Sequence, residues 1–125
     1  MRFIFALSLH AIFLLIVVSG CENSKSNLVQ NLVAKQQGKF IMYIIPVSDD
    51  DDYEYEVNKI FNLESNLLKA IEEVRIHKTA EEKAMWRKLG IEEFPAVVIL
   101  DTKKIVFQTT KPEKLMEFAK QLNEE

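Results

Sequence analysis

Cysteine is nearly absent from this sequence: 125 residues contain one, Cys21. A lone thiol cannot close an intrachain disulfide or run a dithiol exchange. Histidine is almost as scarce, with only His10 and His77, so no Cys/His set of zinc-site spacing exists. Ser48 and Ser65 accordingly lack a base partner beyond His77, and a hydrolytic triad has little support. The three glycines form no Gly-rich turn of the kind that cradles phosphates. Basic charge is not in excess either: the formal net charge is −3 and no basic stripe stands out, which argues against a nucleic-acid partner. A long hydrophobic run is also missing, since Phe3 to Val18 falls short of the roughly 20 residues that a spanning helix needs. Nothing in these residues calls for a metal or an organic cofactor.

What is present is an apolar content of 48% with 28% charged residues, ordinary for one globular domain. The apolar residues are unevenly placed. Phe3 to Val18 is interrupted only by Ser8 and His10, whereas the chain from Glu22 onward is charged and patterned. Arg2 and the amino group, the apolar core and the small residues after it have the layout of a secretory signal. The segment Val18-Ser19-Gly20-Cys21 resembles the lipobox of bacterial lipoproteins, an aliphatic residue and two small ones before a cysteine. That resemblance implies cleavage before Cys21 and lipid on its sulfur, so that the protein is anchored at the extracytoplasmic face of a cell membrane. An ordinary signal, or a short anchor helix ending by chance near a cysteine, is the alternative. The expected organisation is a leader over 1–20, the lipidated cysteine and a short polar tether over 21–27, and one domain over 28–125.

Within that domain the periodicities alternate. Leu28 and Leu32 share a helical face, with Gly38 as the stop. Phe40 to Ile45 is a continuous apolar run ended by Pro46, the pattern of a buried strand. Val57, Ile60, Phe61, Leu63, Leu67 and Leu68 are spaced by threes and fours, which predicts one helix after Asp49–Asp52. Val74 and Ile76 alternate with Arg75 and His77 as in a short strand. Thr79 and Glu82 make a capping box for a helix that Gly90 ends. Ala96 to Leu100 reads as a second buried strand and Lys104 to Gln108 as a third. Thr110-Lys111-Pro112-Glu113 offers a capping box and an early proline for the last helix, which Leu115, Phe118, Ala119 and Leu122 line. The predicted order is α-β-α-β-α-β-β-α, an α/β sandwich with a mixed central sheet flanked by helices.

The stretch from Lys88 to Leu100, KLGIEEFPAVVIL, resembles the signature segment of thioredoxin-like proteins. In that family a helix ends in Gly-Ile or Gly-Val and a loop then delivers a cis-proline to the start of a strand. The resemblance implies a thioredoxin-like fold with Pro95 as the cis-proline, and it makes Phe94, Pro95 and Ala96 the candidate binding loop. It implies no activity. The family's chemistry belongs to a Cys-x-x-Cys after the first strand, and this sequence has Pro46-Val47-Ser48-Asp49-Asp50-Asp51-Asp52-Tyr53 there instead. Phe94 and Ala96 also depart from the residues usual beside that proline.

The acidic segment from Asp49 to Glu56 admits two readings. Hard cations take several carboxylate oxygens, so a calcium-dependent binding or sensing site is one of them. The plainer one is that the carboxylates precede a helix and complement its positive N-terminus; the run lacks the alternating ligands and central glycine of a calcium loop. Tyr53 and Tyr55 are candidates for stacking on a ligand or for packing, Trp86 for the core or its rim, and His77 for a structural role. The function expected from the whole is non-enzymatic: a membrane-anchored, redox-inactive domain that holds a protein, a peptide or a cell-wall-associated partner. Cation-dependent binding through residues 49–56 is the alternative.

Overall fold

The computed structural model describes residues 27–49 and 51–124. Cys21, the leader and Asp50 therefore lie outside the described residues. The element order is β1 (Phe40–Ile45), α1 (Tyr53–Leu63), α2 (Ser65–Ala70), β2 (Ile71–Ile76), α3 (Ala80–Lys88), β3 (Ala96–Leu100), β4 (Ile105–Thr109) and, after a 3-10 turn over Pro112–Lys114, α4 (Leu115–Asn123). The strands form one sheet in the order β2-β1-β3-β4. β1 runs parallel to β2 and antiparallel to β3, and β3 is antiparallel to β4.

β1 and β3 lie inside the sheet with helices on both faces, which is why they read as unbroken apolar runs. Alternate side chains serve two cores. Met42, Ile44, Val97 and Ile99 pack with Tyr53, Val57, Leu67, Leu115 and Phe118 on the side of α1, α2 and α4. Ile41, Tyr43, Ile45, Val98 and Leu100 pack with Leu32, Trp86 and Ile91 on the side of α3. The result is a three-layer α/β/α sandwich with a mixed sheet.

Three local expectations are corrected. The helix expected from Val57 to Leu68 is two helices, because Glu64 is extended (φ −102°, ψ 101°). Glu64 lies seven residues after Val57, so a continuous helix would carry its carboxylate onto the buried stripe. The break resets the phase, and Leu67 enters the core while Leu63 is left 72% exposed. The first helix is helical only over 27–30 among the described residues. The chain then turns, held by Leu32 N–H to Val29 O at 2.8 Å and Ala34 N–H to Asp101 O at 2.9 Å. Gly38, at φ +82°, serves the turn into β1 and stops no helix. Finally, Thr110 caps nothing. Thr109 Oγ1 accepts the Lys111 N–H at 3.1 Å, and Pro112, which has no N–H to satisfy, opens the 3-10 turn.

Candidate binding groove beside the cis-proline

The loop that carries Phe94 and Pro95 is fixed at both ends. The helix that leads into it, α3, opens with the capping box that the sequence predicts: Glu82 N–H donates to Thr79 Oγ1 at 3.0 Å, and Glu82 Oε1 accepts the Thr79 N–H at 3.0 Å. α3 ends where Gly90 takes φ +97°, a conformation that L side chains rarely adopt, and Ile91 N–H returns to Trp86 O at 3.0 Å. Ile91 is thereby pressed into the core while Glu92 and Glu93 stay exposed. The Phe94–Pro95 peptide bond is cis, and Ala96 begins the fully buried β3. The Arg87 guanidinium stands over the Phe94 ring, 5.2 Å from its centroid, and ties the loop to α3.

An open groove of about 370 Å³ adjoins this loop. One wall is Gly90, Ile91, Glu92 and Glu93, the floor is Ala96, and the other wall is Gln108, Thr109 and Thr110 from the end of β4. The second wall comes from a strand that the β3–β4 register brings alongside, and nothing in the sequence pattern singles it out. Carboxylates, a carboxamide and hydroxyls around a strand end suit hydrogen bonding to an extended polar chain.

Among the described carboxylates of the acidic segment, Asp49, Asp51 and Glu54 have partners of their own. Asp51 Oδ2 accepts the N–H groups of Val47 and Ser48 at 2.9 and 3.4 Å, closing the turn after β1. Asp49 and Glu54 face Lys78 Nζ at 3.5 and 3.8 Å. Lys83 Nζ donates to Val47 O at 2.8 Å and ties the same turn to α3. Among the described residues no three His, Cys, Asp or Glu side chains come together to hold a metal ion. Tyr53 turns into the core, 7% exposed, and Tyr55 turns outward, 69% exposed. Burial, with the carboxylates of Glu113, Asp51 and Glu56 nearby, raises the Tyr53 pKa, so its phenol stays protonated.

The polar cluster that sequence reasoning missed surrounds His77. Trp86 is fully buried, and its indole Nε1–H donates to His77 Nδ1 at 3.0 Å. An Nδ1 that accepts leaves the ring proton on Nε2, which lies 3.4 Å from Glu82 Oε2. Burial lowers the His77 pKa; Glu82 opposes that shift and Arg75 adds to it. Burial works to raise the pKa of Glu82, but donors from Thr79 and Lys78 together with His77 outweigh it and hold the carboxyl below its usual range. Tyr43 completes the cluster. Its hydroxyl donates to Leu32 O at 2.8 Å and accepts from Arg75 at 3.0 Å, and its ring packs on both His77 and Trp86. Only the capping box hinted at this arrangement, since the contacts join residues of β1, β2 and α3.

Sheet order, layering and the cis-proline at the head of β3 define a thioredoxin-like fold. Solved structures agree. The chain superposes on thioredoxin f2 of Chlamydomonas reinhardtii with a TM-score of 0.56 at 15% identity, over 77% of this chain and 90% of that one. It superposes on the long form of thioredoxin f from spinach chloroplast with a TM-score of 0.54 at 19% identity, over 70% and 73% of the two chains. At the level of sequence no family model and no curated protein matches it. These likenesses carry the fold and nothing finer.

Proposed function

We propose that the protein is a membrane-anchored extracytoplasmic lipoprotein whose thioredoxin-like domain works as a redox-inactive module, holding an extended peptide or a cell-wall-associated partner. The observation that carries this reading is the open groove of about 370 Å³ lined by Gly90–Glu93, by Ala96 after the cis-proline and by the end of β4; Phe94 and Pro95 themselves do not line it. In it, hydrogen-bonding side chains stand where an extended chain can lie. The sequence supplies the rest of the support. Its one cysteine, Cys21, is taken up by the lipobox-like segment, so the domain is left with no thiol for disulfide exchange. Lipid on Cys21 would keep the groove near a membrane surface.

Photo-crosslinking in intact membranes tests the groove. With a photoreactive residue at Glu93, and the same group at the outward-facing Tyr55 as control, specific protein or peptide adducts are expected from position 93 alone. Adducts only from position 55, or none from 93, would sink the groove reading. Turnover of a disulfide substrate by the purified chain would overturn the redox-inactive part independently.

A further inference from the structure

The two edges of the sheet are built differently. β2, at one edge, carries Glu72, Glu73 and Arg75, the charged side chains with which natural edge strands discourage pairing. β4, at the other, is Ile105-Val106-Phe107-Gln108-Thr109 and carries no charge at all. It is bonded to β3 along one side, and no described strand pairs with the other. Backbone donors and acceptors along that side are a template for a further strand. The charges lie just beyond its ends. Exposed Lys103 and Lys104 precede it, while exposed Glu92 and Glu93 stand in the groove wall opposite Gln108–Thr110 at its far end.

We propose that β4 pairs with β4 of a second copy of this chain, giving a two-fold antiparallel dimer with a sheet continuous across both copies. A two-fold pairing centred on Phe107 sets Lys104 of each copy opposite Thr110 of the other, beside the Glu92 and Glu93 wall. Opposite charges thus meet at each end, Lys104 with the Glu92 and Glu93 wall, and the same patch serves both partners, as a two-fold interface requires. β2 offers a second copy no such uncharged strand. The incoming strand also closes the open end of the groove, whatever the groove holds.

Zero-length carbodiimide coupling of the full chain in membranes, with mass-spectrometric mapping, reads this directly. Within one copy Lys104 and the Glu92–Glu93 wall lie at opposite ends of β4, about 17 Å apart at the rise of a strand, too far for a direct amide link. Links from Lys103 or Lys104 to Glu92 or Glu93, found only in a species of twice the chain mass, are the expected result. Gln108→Lys places a charge on the exposed face of the edge strand and should abolish that species, whereas Glu72→Lys on the β2 edge should leave it unchanged. Circular dichroism spectra matching the parent show that both variants fold. Sedimentation of the detergent-solubilised full chain as a monomer at tens of micromolar would overturn the dimer. So would links that join other surfaces, or a foreign polypeptide as the sole species coupled to this edge. A Glu93 photo-adduct with a second copy of this chain counts for the dimer alone; the groove reading needs an adduct with a different polypeptide, so the two tests can fail separately.

Discussion

A single proton ties together the side chains around His77. The indole N–H of Trp86 requires a lone pair on His77 Nδ1, so an imidazolium there would set two donors face to face across 3.0 Å. The folded state therefore disfavours charged His77, in line with its lowered pKa. The direction of the pH effect follows. Between the ordinary histidine value of about 6.5 and the depressed folded value, the unfolded chain binds more protons than the folded one. Stability is thus full above about pH 6.5 and declines as the pH falls through the folded value. Urea midpoints measured from pH 7.5 to 5 should show that decline, and His77→Gln, which can still accept from Trp86 but does not titrate, should flatten it. A parent midpoint that is level across this range would refute the assignment of the proton to Nε2. Glu82 titrates in a lower window: its lowered pKa gives stability that is present above the unfolded carboxylate value and is lost on further acidification. Thr79→Ala removes one half of the cap and should cost about 1 kcal/mol, read as a lower urea midpoint with an unchanged slope.

Elements were legible in the sequence where one physical signal dominated. β1 and β3 announce themselves as apolar runs because both their faces are buried, and α3 does so because Thr79 and Glu82 satisfy each other's backbone. The break at Glu64 was not legible, since threes-and-fours spacing from Val57 to Leu68 looks the same whether the helix continues or resets. What decides it is where Glu64 and Leu67 fall against α4 and the sheet, which is tertiary information. The Thr110 box failed for a similar reason: Thr109, the last residue of β4, reached Lys111 first. Mutation can separate one helix from two. Leu67→Ala should destabilise by about 2–5 kcal/mol, the range for a buried leucine, while Leu63→Ala should change stability by no more than about 0.5 kcal/mol. Equal losses at both positions in chemical unfolding would favour a single continuous helix.

At the scale of the whole molecule, the candidate site was half legible. Gly90, the Phe94–Pro95 dipeptide and the apolar run after it pointed to the loop, but the facing wall from Gln108 to Thr110 exists only once β3 and β4 are in register. The acidic segment looked like the more conspicuous site; of its described carboxylates, Asp49 and Glu54 face Lys78 and Asp51 closes the turn after β1. The proposed anchor rests on Cys21. If that thiol carries lipid, each buried CH₂ contributes about 0.8 kcal/mol of membrane affinity, and two or more acyl chains hold a protein firmly where none does not. Among the described residues no helix is long and apolar enough to substitute for such an anchor. Cys21→Ser should therefore abolish incorporation of a labelled fatty acid and move the protein largely from the membrane pellet to the soluble fraction. The competing account, an uncleaved helix from Phe3 to Val18, makes the opposite forecast, because that segment is untouched by the substitution and would keep the serine variant in the pellet. The mass of the parent protein distinguishes the two as well, since processing before Cys21 removes residues 1–20 and adds acyl groups, whereas an anchor helix leaves the chain at full length and without lipid.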